Sequence, residues 1–158
     1  MDYTVFENCD ANRLEGESDR EHMERIVRSS HVPHATGLVC MNDLVEGTFY
    51  DCDPEKRSLT LEFLVKDWMT NPAGGMHGGI MATVLDITLG QLVRYCTKQA
   101  ACVTVSLSVD YLRGAVAGDT VLVEACADKV GRRLTFLHAS IASKESGKLL
   151  ATAKATFM

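Results

Sequence analysis

A glycine-rich turn, residues 71–79, runs into a long apolar segment that carries one carboxylate, Asp86, at its middle. Ile80, Met81, Val84, Leu85, Ile87, Leu89, Leu92 and Val93 surround that carboxylate, and no polar face develops before Arg94. A helix apolar nearly all round is normally buried, and an aspartate is seldom buried without a partner or a task. The turn supplies a second chemical group. Asn71-Pro72-Ala73-Gly74-Gly75 cannot continue regular structure, and His77-Gly78-Gly79 falls at the helix start, where the first backbone N–H groups lack intrahelical acceptors. Those N–H groups, backed by the positive end of the helix dipole, suit a carbonyl oxygen gaining negative charge. The glycines allow tight backbone geometry and close approach of a substrate to the main chain. A polarised carbonyl plus a carboxylate is the minimum equipment for hydrolysing an activated acyl group.

Helix geometry constrains how the two groups meet. Gly78 and Asp86 lie ~12 Å apart along one helix, at about 1.5 Å per residue. A single helix cannot bring both to one carbonyl. If both act, Asp86 comes from a second subunit whose helix runs antiparallel beside the first. The protein is then a dimer with two symmetric sites at its interface.

The positioning elements follow from hydrophobic period. Ser18 and Glu21 form a capping-box pattern at the start of a short amphipathic helix, with Met23, Ile26 and Val27 on its apolar stripe and Pro33 as its stop. From residue 37 the period becomes two, and Gly37–Asp51 and Ser58–Lys66 are expected to be strands joined by the turn at 51–57. The apolar helix spans about 77–97, and strands are expected at 102–112, 119–130, 133–144 and 148–157. In the first of these, Val103, Val105, Leu107, Val109 and Tyr111 oppose Thr104, Ser106, Ser108 and Asp110. The last is rich in alanine on one face, which suits close packing against a helix. Strands grouped around one helix indicate an α+β fold, not a doubly wound α/β one. The simplest solution is one curved antiparallel β-sheet of about 5–6 strands wrapped around the central helix. Residues 1–36 form a lead with the short helix, and 37–158 form a single domain.

Composition narrows the class. At 158 residues the chain suits one domain, and 46% hydrophobic with 23% charged residues is the balance of an ordinary globular protein. A net charge of −5 argues against nucleic-acid or anionic-membrane partners, and no apolar run is long enough to span a membrane. The polar, acidic N-terminus is neither a secretory signal nor a transit peptide, so a cytoplasmic location is expected. The six cysteines, Cys9, Cys40, Cys52, Cys96, Cys102 and Cys126, form no CxxC pair and are expected to be buried reduced thiols. His22, His31 and His34 lack helical ligand spacing and an accompanying carboxylate or cysteine cluster, so no metal site is expected.

Asn71, Gly74, His77, Gly78, Gly79 and Asp86 form the pattern N-x-x-G-x-x-H-G-G followed by Asp seven residues on. This resembles the hotdog-fold thioesterases of the phenylacetate-degradation (PaaI) type, over roughly residues 37–157. The resemblance implies an acyl-CoA thioesterase of hotdog fold that releases coenzyme A and a free acid. It implies Asp86 as general base or nucleophile, and the Gly78 N–H as the group that polarises the thioester carbonyl. His77 and Asn71 would orient the turn, the attacking water or the sulfur leaving group. Counting back from the tyrosine of SVDYL, the small hydroxyl residue that often completes such a site is Thr104. Gly79, Met76 and Met81 would contact substrate, with the methionines lining an acyl pocket. No metal or redox cofactor is implied, coenzyme A entering only as part of the substrate. A homo-oligomer is implied, at least a dimer and by extension a tetramer.

Structural readings compete with each assignment. Asp86 would be structural if it bonded Thr83 or a backbone group, and His77 and Asn71 serve equally as helix-start and turn residues. Thr104 suits a strand on propensity alone. Arg113, Arg132 and Arg133 fit either coenzyme A phosphates or solvated turns. The rival functions are a non-catalytic hotdog acyl-CoA binding or sensing module and a hotdog hydratase or dehydratase.

Overall fold

Six antiparallel strands curve round one long helix in the computed structural model, which describes residues 11–30 and 39–158. In chain order the elements are α1 (Asp19–Ser29), α2 (Met41–Val45), β1 (Thr48–Asp53), β2 (Ser58–Leu64), α3 (Gly78–Thr97), β3 (Thr104–Tyr111), β4 (Thr120–Val130), β5 (Thr135–Ser143) and β6 (Leu149–Phe157), with a 3-10 turn at Asp67–Met69. The sheet order is β1-β2-β4-β5-β6-β3, which leaves β1 and β3 as edges. The expected α+β architecture, its central helix and its last four strands are all present.

Strand register explains how the sheet accepts a helix. Leu61, Val123, Ile141 and Ala151 form one cross-strand row on the inner face, all essentially buried. The next row places Ala125, Ala139 and Ala153 between Leu59 and Val109. Three small side chains at the centre keep the floor low, and Val84, Leu85, Leu89 and Leu92 of α3 fill the curve above it, each fully buried. Each large apolar side chain buried in this interface contributes about 1.5–3 kcal/mol.

The lead helix joins the same core. Ser18 caps α1 in a full capping box with Glu21, and Met23, Ile26 and Val27 are buried. The helix covers the β1 edge and reaches α3 through Tyr95, whose hydroxyl donates to Asp19 at 2.8 Å. The expected stop at Pro33, with His31 and His34, lies outside the described residues.

Three expectations need correction. The segment expected to be a strand from residue 37 instead holds the short helix α2, and β1 begins only at Thr48. Asp43 accepts from the Cys40 N–H at 3.0 Å and starts the turn of helix, while Glu46 ends it in a left-handed conformation. A Cβ on Gly47 would drive into the Phe63 ring, so the chain enters β1 there in contact with the core. Second, α3 is not buried all round: Ile80, Thr83, Asp86, Ile87 and Gly90 are half-exposed along one side, while Arg94 is buried and donates to Gln91 and Ser29. Third, the five described cysteines are free and only half-buried, and Cys9 lies outside the described residues. No described helix is long and apolar enough to cross a membrane.

Candidate active site

Asn71 holds the turn before α3 through both its backbone and its side chain: its N–H donates to Gly75 O and its carbonyl accepts from Gly74, each at 2.8 Å. Asn71 Oδ1 accepts the backbone N–H groups of Ala73 (2.9 Å) and Gly75 (3.3 Å), and Gly74 takes the left-handed conformation (φ 81°) that favours glycine. The Met76 N–H donates to Ala115 O and the His77 N–H to Met69 O at 2.8 Å, which ties the turn to its neighbours on both sides.

His77 is the N-cap of α3. Its Nδ1 accepts the Gly79 N–H at 2.9 Å, which fixes that nitrogen as the unprotonated acceptor. The second glycine of the pair makes this possible. A Cβ on Gly79 would lie 3.1 Å from Nδ1 and 3.3 Å from Cε1 of the same imidazole. Gly79 therefore leaves room for the cap, and no unusual backbone angle calls for it. At Gly78 a Cβ would only touch the Tyr111 ring at 3.4 Å, an ordinary contact. Among the described residues the Gly78 N–H has no acceptor, while its neighbours on either side do. One donor is thus left free at the positive end of a twenty-residue helix.

Asp86 lies two turns further along, half-exposed on the open side of α3. Thr83 does not bond it; that hydroxyl donates back to Gly79 O at 2.9 Å. The partner of Asp86 is Thr104, whose hydroxyl donates to Oδ1 at 2.8 Å. Strict alternation would turn Thr104 away from the helix, with Ser106 and Ser108. A register shift between Thr104 and Ser106 prevents this. Thr104 pairs with the buried Phe157 and so shares the inner face with Leu107, Val109 and Tyr111. The bulge re-aims one hydroxyl at the carboxylate.

Alternation alone gives Tyr111 only a place on the apolar face of this strand. Its hydroxyl donates to the Gly78 carbonyl oxygen at 3.0 Å. No periodicity signals a contact between residues 33 positions apart in sequence. Met76 and Met81 are 4% and 2% exposed and belong to the core, so their burial lends no support to an acyl-pocket role. Arg113 donates to Leu149 O at 2.9 Å. The Cys102 thiol, in the segment after α3, donates to the carbonyl of Gly90, one helical turn past Asp86; burial pushes it up to about 11, with the Asp86 charge adding to the rise and Arg94 opposing it. It is protonated at neutral pH and is not a nucleophile. Among the described residues no three His, Cys, Asp or Glu side chains gather as metal ligands.

Surface cavities of about 370 and 310 Å³ lie elsewhere, one between Arg57, Tyr95 and Lys98 and one on the outer sheet face beside Phe136 and Lys154. Chemistry rather than concavity therefore marks the candidate site: a free helix-start N–H, and a carboxylate held by a hydroxyl.

Known proteins share this fold and part of this sequence. The thioesterase superfamily model matches residues 73–150, a span that includes Gly78, Asp86 and Thr104. Acyl-coenzyme A thioesterase 13 of Mus musculus is 32% identical over 110 residues, covering 69% of this chain and 76% of that protein. The crystal structure of a phenylacetic acid degradation-related protein of Ralstonia eutropha JMP134 superposes with a TM-score of 0.70 at 28% identity, covering 86% of this chain and 98% of that one. Zebra fish thioesterase superfamily member 2 shares the fold with a TM-score of 0.72 at 24% identity, over 85% of this chain and 94% of its own. Motif, topology and sequence likeness agree, and the chain belongs to the thioesterase superfamily as a hotdog-fold member of the PaaI type.

Proposed function

We propose that this protein is an acyl-CoA thioesterase whose two catalytic groups come from different subunits. The observation that carries the reading is the pairing of an acceptor-free Gly78 N–H with a half-exposed, Thr104-held Asp86 on the same helix. The reaction matches the activity in the name of the mouse relative. Gly78 and Asp86 lie ~12 Å apart along α3, so a thioester carbonyl bound at Gly78 meets Asp86 of the partner subunit. Antiparallel pairing of two α3 helices in that register centres the two-fold axis beside Ala82. Ile80, Thr83 and Ile87 then face the partner, and all three are half-exposed in the single chain. Edge strand β3, next to this face, carries exposed Val105, with Val103 just before it, and suits the same contact.

In the reaction the thioester carbonyl accepts from the Gly78 N–H, which stabilises the oxyanion as the carbon becomes tetrahedral. The carboxylate either takes a proton from the attacking water or attacks the carbon itself, forming an anhydride that water then cleaves. Collapse breaks the carbon–sulfur bond, and the coenzyme A thiolate leaves and is protonated. No metal or redox group is required for these steps. The free thiols of the described cysteines suit the reducing cytoplasm as its compartment.

Release of free thiol from a panel of acyl-CoAs tests the reading, with Asp86→Ala as the control. Turnover is expected to fall by about 10³-fold or more in the variant while its assembly state is unchanged. Wild-type-like activity in Asp86→Ala would remove the assignment, and binding without thiol release by the wild type would identify a sensing module instead. Single-turnover hydrolysis in oxygen-18 water separates the two roles of Asp86, since label enters its carboxylate only if it attacks directly.

A further inference from the structure

We infer that Tyr111 is a positioning residue for the carbonyl-binding N–H of Gly78, an inference that rests on the proposed thioesterase reading. The Gly78 carbonyl and the Gly79 N–H belong to one peptide unit. Tyr111 donates to that carbonyl at 3.0 Å, and His77 Nδ1 accepts from that N–H at 2.9 Å. One peptide plane is therefore gripped at both ends by side chains from opposite sides of the turn. The plane needs such a grip, because two successive glycines at a helix start are the easiest place for the first turn to unwind. Fixing this plane fixes the rotation about the Gly78 Cα–C bond, while the His77 carbonyl, in the same peptide unit as the free Gly78 N–H, accepts from Ile80 at 2.9 Å and Met81 at 3.0 Å; the two planes together set that N–H against the helix axis. His77 alone holds only one end.

Packing does not explain the tyrosine. Tyr111 ends the edge strand β3 opposite Ala151 and is 54% exposed. Water would satisfy an exposed hydroxyl equally well, so the bond adds little stability. The Gly78 carbonyl sits in the first turn of α3, where the helix ladder supplies one donor, and the tyrosine hydroxyl takes the second lone pair. The ring also lies against the Gly78 backbone, at the distance where a Cβ would just touch it. The hydroxyl and the ring act together on the residue whose N–H is free.

Tyr111→Phe keeps the ring and removes the bond, so it tests the inference directly. With acyl-CoA substrates, kcat is expected to fall by ~10-fold with KM within about twofold, because the loss is in alignment for the transition state. A non-hydrolysable ketone analogue of acyl-CoA, labelled with carbon-13 at the carbonyl, gives an independent readout. Its infrared carbonyl stretch is expected to shift down on binding to the wild type and to return toward the free value in Tyr111→Phe. A merely structural role would lower thermal stability and leave that frequency unchanged. An unchanged kcat together with an unchanged bound frequency overturns the inference while leaving the thioesterase reading intact. No shift and no turnover in the wild type would overturn both.

Discussion

The hydroxyl of Thr104 donates to Oδ1 of Asp86 at 2.8 Å, from an edge strand to the open side of the central helix. The contact depends on the bulge between Thr104 and Ser106, which puts Thr104 on the inner face. The bond occupies one lone pair of one carboxylate oxygen and leaves Oδ2 for water or an acyl carbon. It thus orients a general base or nucleophile without blocking it.

Serine at this position is expected to keep the bond and most of the activity, whereas valine keeps the shape and β-propensity and loses the bond. A hydrogen bond to a charged group contributes about 1.5–3 kcal/mol, so Thr104→Val is expected to lower kcat by roughly 10–100-fold. Thr104→Ser is expected to stay within a few-fold of wild type. Steady-state kinetics on both variants decide it. Equal activity in serine and valine variants would mean that the bond does not orient the carboxylate.

The glycine pair separates stability from activity. In Gly79→Ala the new methyl meets the His77 imidazole at 3.1 Å, so the ring has to give by a few tenths of an ångström and the cap bond weakens, at most to the point of being lost. Losing an N-cap bond costs about 0.5–2 kcal/mol, and replacing a helical glycine by alanine returns about 1 kcal/mol. The two nearly cancel, and the melting temperature is expected to move by only a few degrees. Activity is expected to fall regardless, because the Gly78–Gly79 peptide is held less firmly by His77. A stability loss well beyond the cap value, with activity retained, would assign the pair to folding alone.

Much of this was legible in the sequence because it depends on local signals. The period-two segments, the Ser18–Glu21 box and the turn into α3 all arise from neighbours within a few residues, and the strands after α3 lie within two residues of where alternation put them. What sequence could not show depends on register. The alternation of residues 103–111 puts Thr104 and Tyr111 on opposite faces; one bulge puts them on the same face, each reaching a different part of α3. Likewise, the apolar run around Asp86 suggested burial, but one stripe of it is half-exposed. An apolar surface kept for a second subunit looks the same in sequence as a core. The helix α2 is hidden in the sequence because its hydrophobics fit a strand as well as a turn of helix, and only Val45 is buried.

Acid is expected to weaken the attachment of the lead segment before the sheet. The Glu17 carboxylate is lowered from 4.5 to about 2, chiefly by its hydrogen bond from Arg25, Nε to Oε1 at 2.8 Å. A value lower in the folded than in the unfolded chain contributes stability above pH 4.5 and loses it as pH falls toward 2. After solvent screening the contribution is on the order of 1 kcal/mol. His22 acts earlier and in the same direction: burial holds its imidazole below the usual value of 6.5, so its contribution is lost as pH falls below that point. Thermal melts of the wild type and Glu17→Gln between pH 7 and 2.5 check this. The gap between them is expected to be widest above pH 4.5 and to close toward pH 2; a gap constant with pH would mean that the carboxylate charge contributes nothing.

The shared site is testable because Gly78 occupies the first position of α3. Proline is well tolerated there: it lacks only an N–H that the helix leaves free, and it needs an extended residue before it. His77 has φ −63° and ψ 134°, which meets that need. Gly78→Pro is therefore expected to leave α3 folded while deleting the proposed carbonyl donor, with a loss of about 10²–10³ in kcat. Asp86→Ala removes the carboxylate, and each variant alone is expected to be nearly inactive. In a mixed dimer, one site combines Gly78 of the Asp86→Ala subunit with Asp86 of the Gly78→Pro subunit, so it is intact. Random exchange makes about half of the dimers mixed, each with one working site of two, so roughly a quarter of wild-type activity should return. If each subunit instead contained a complete site, every site in the mixture would carry one lesion and no activity would return. Co-refolding the two variants at equal concentration and assaying thiol release distinguishes these outcomes.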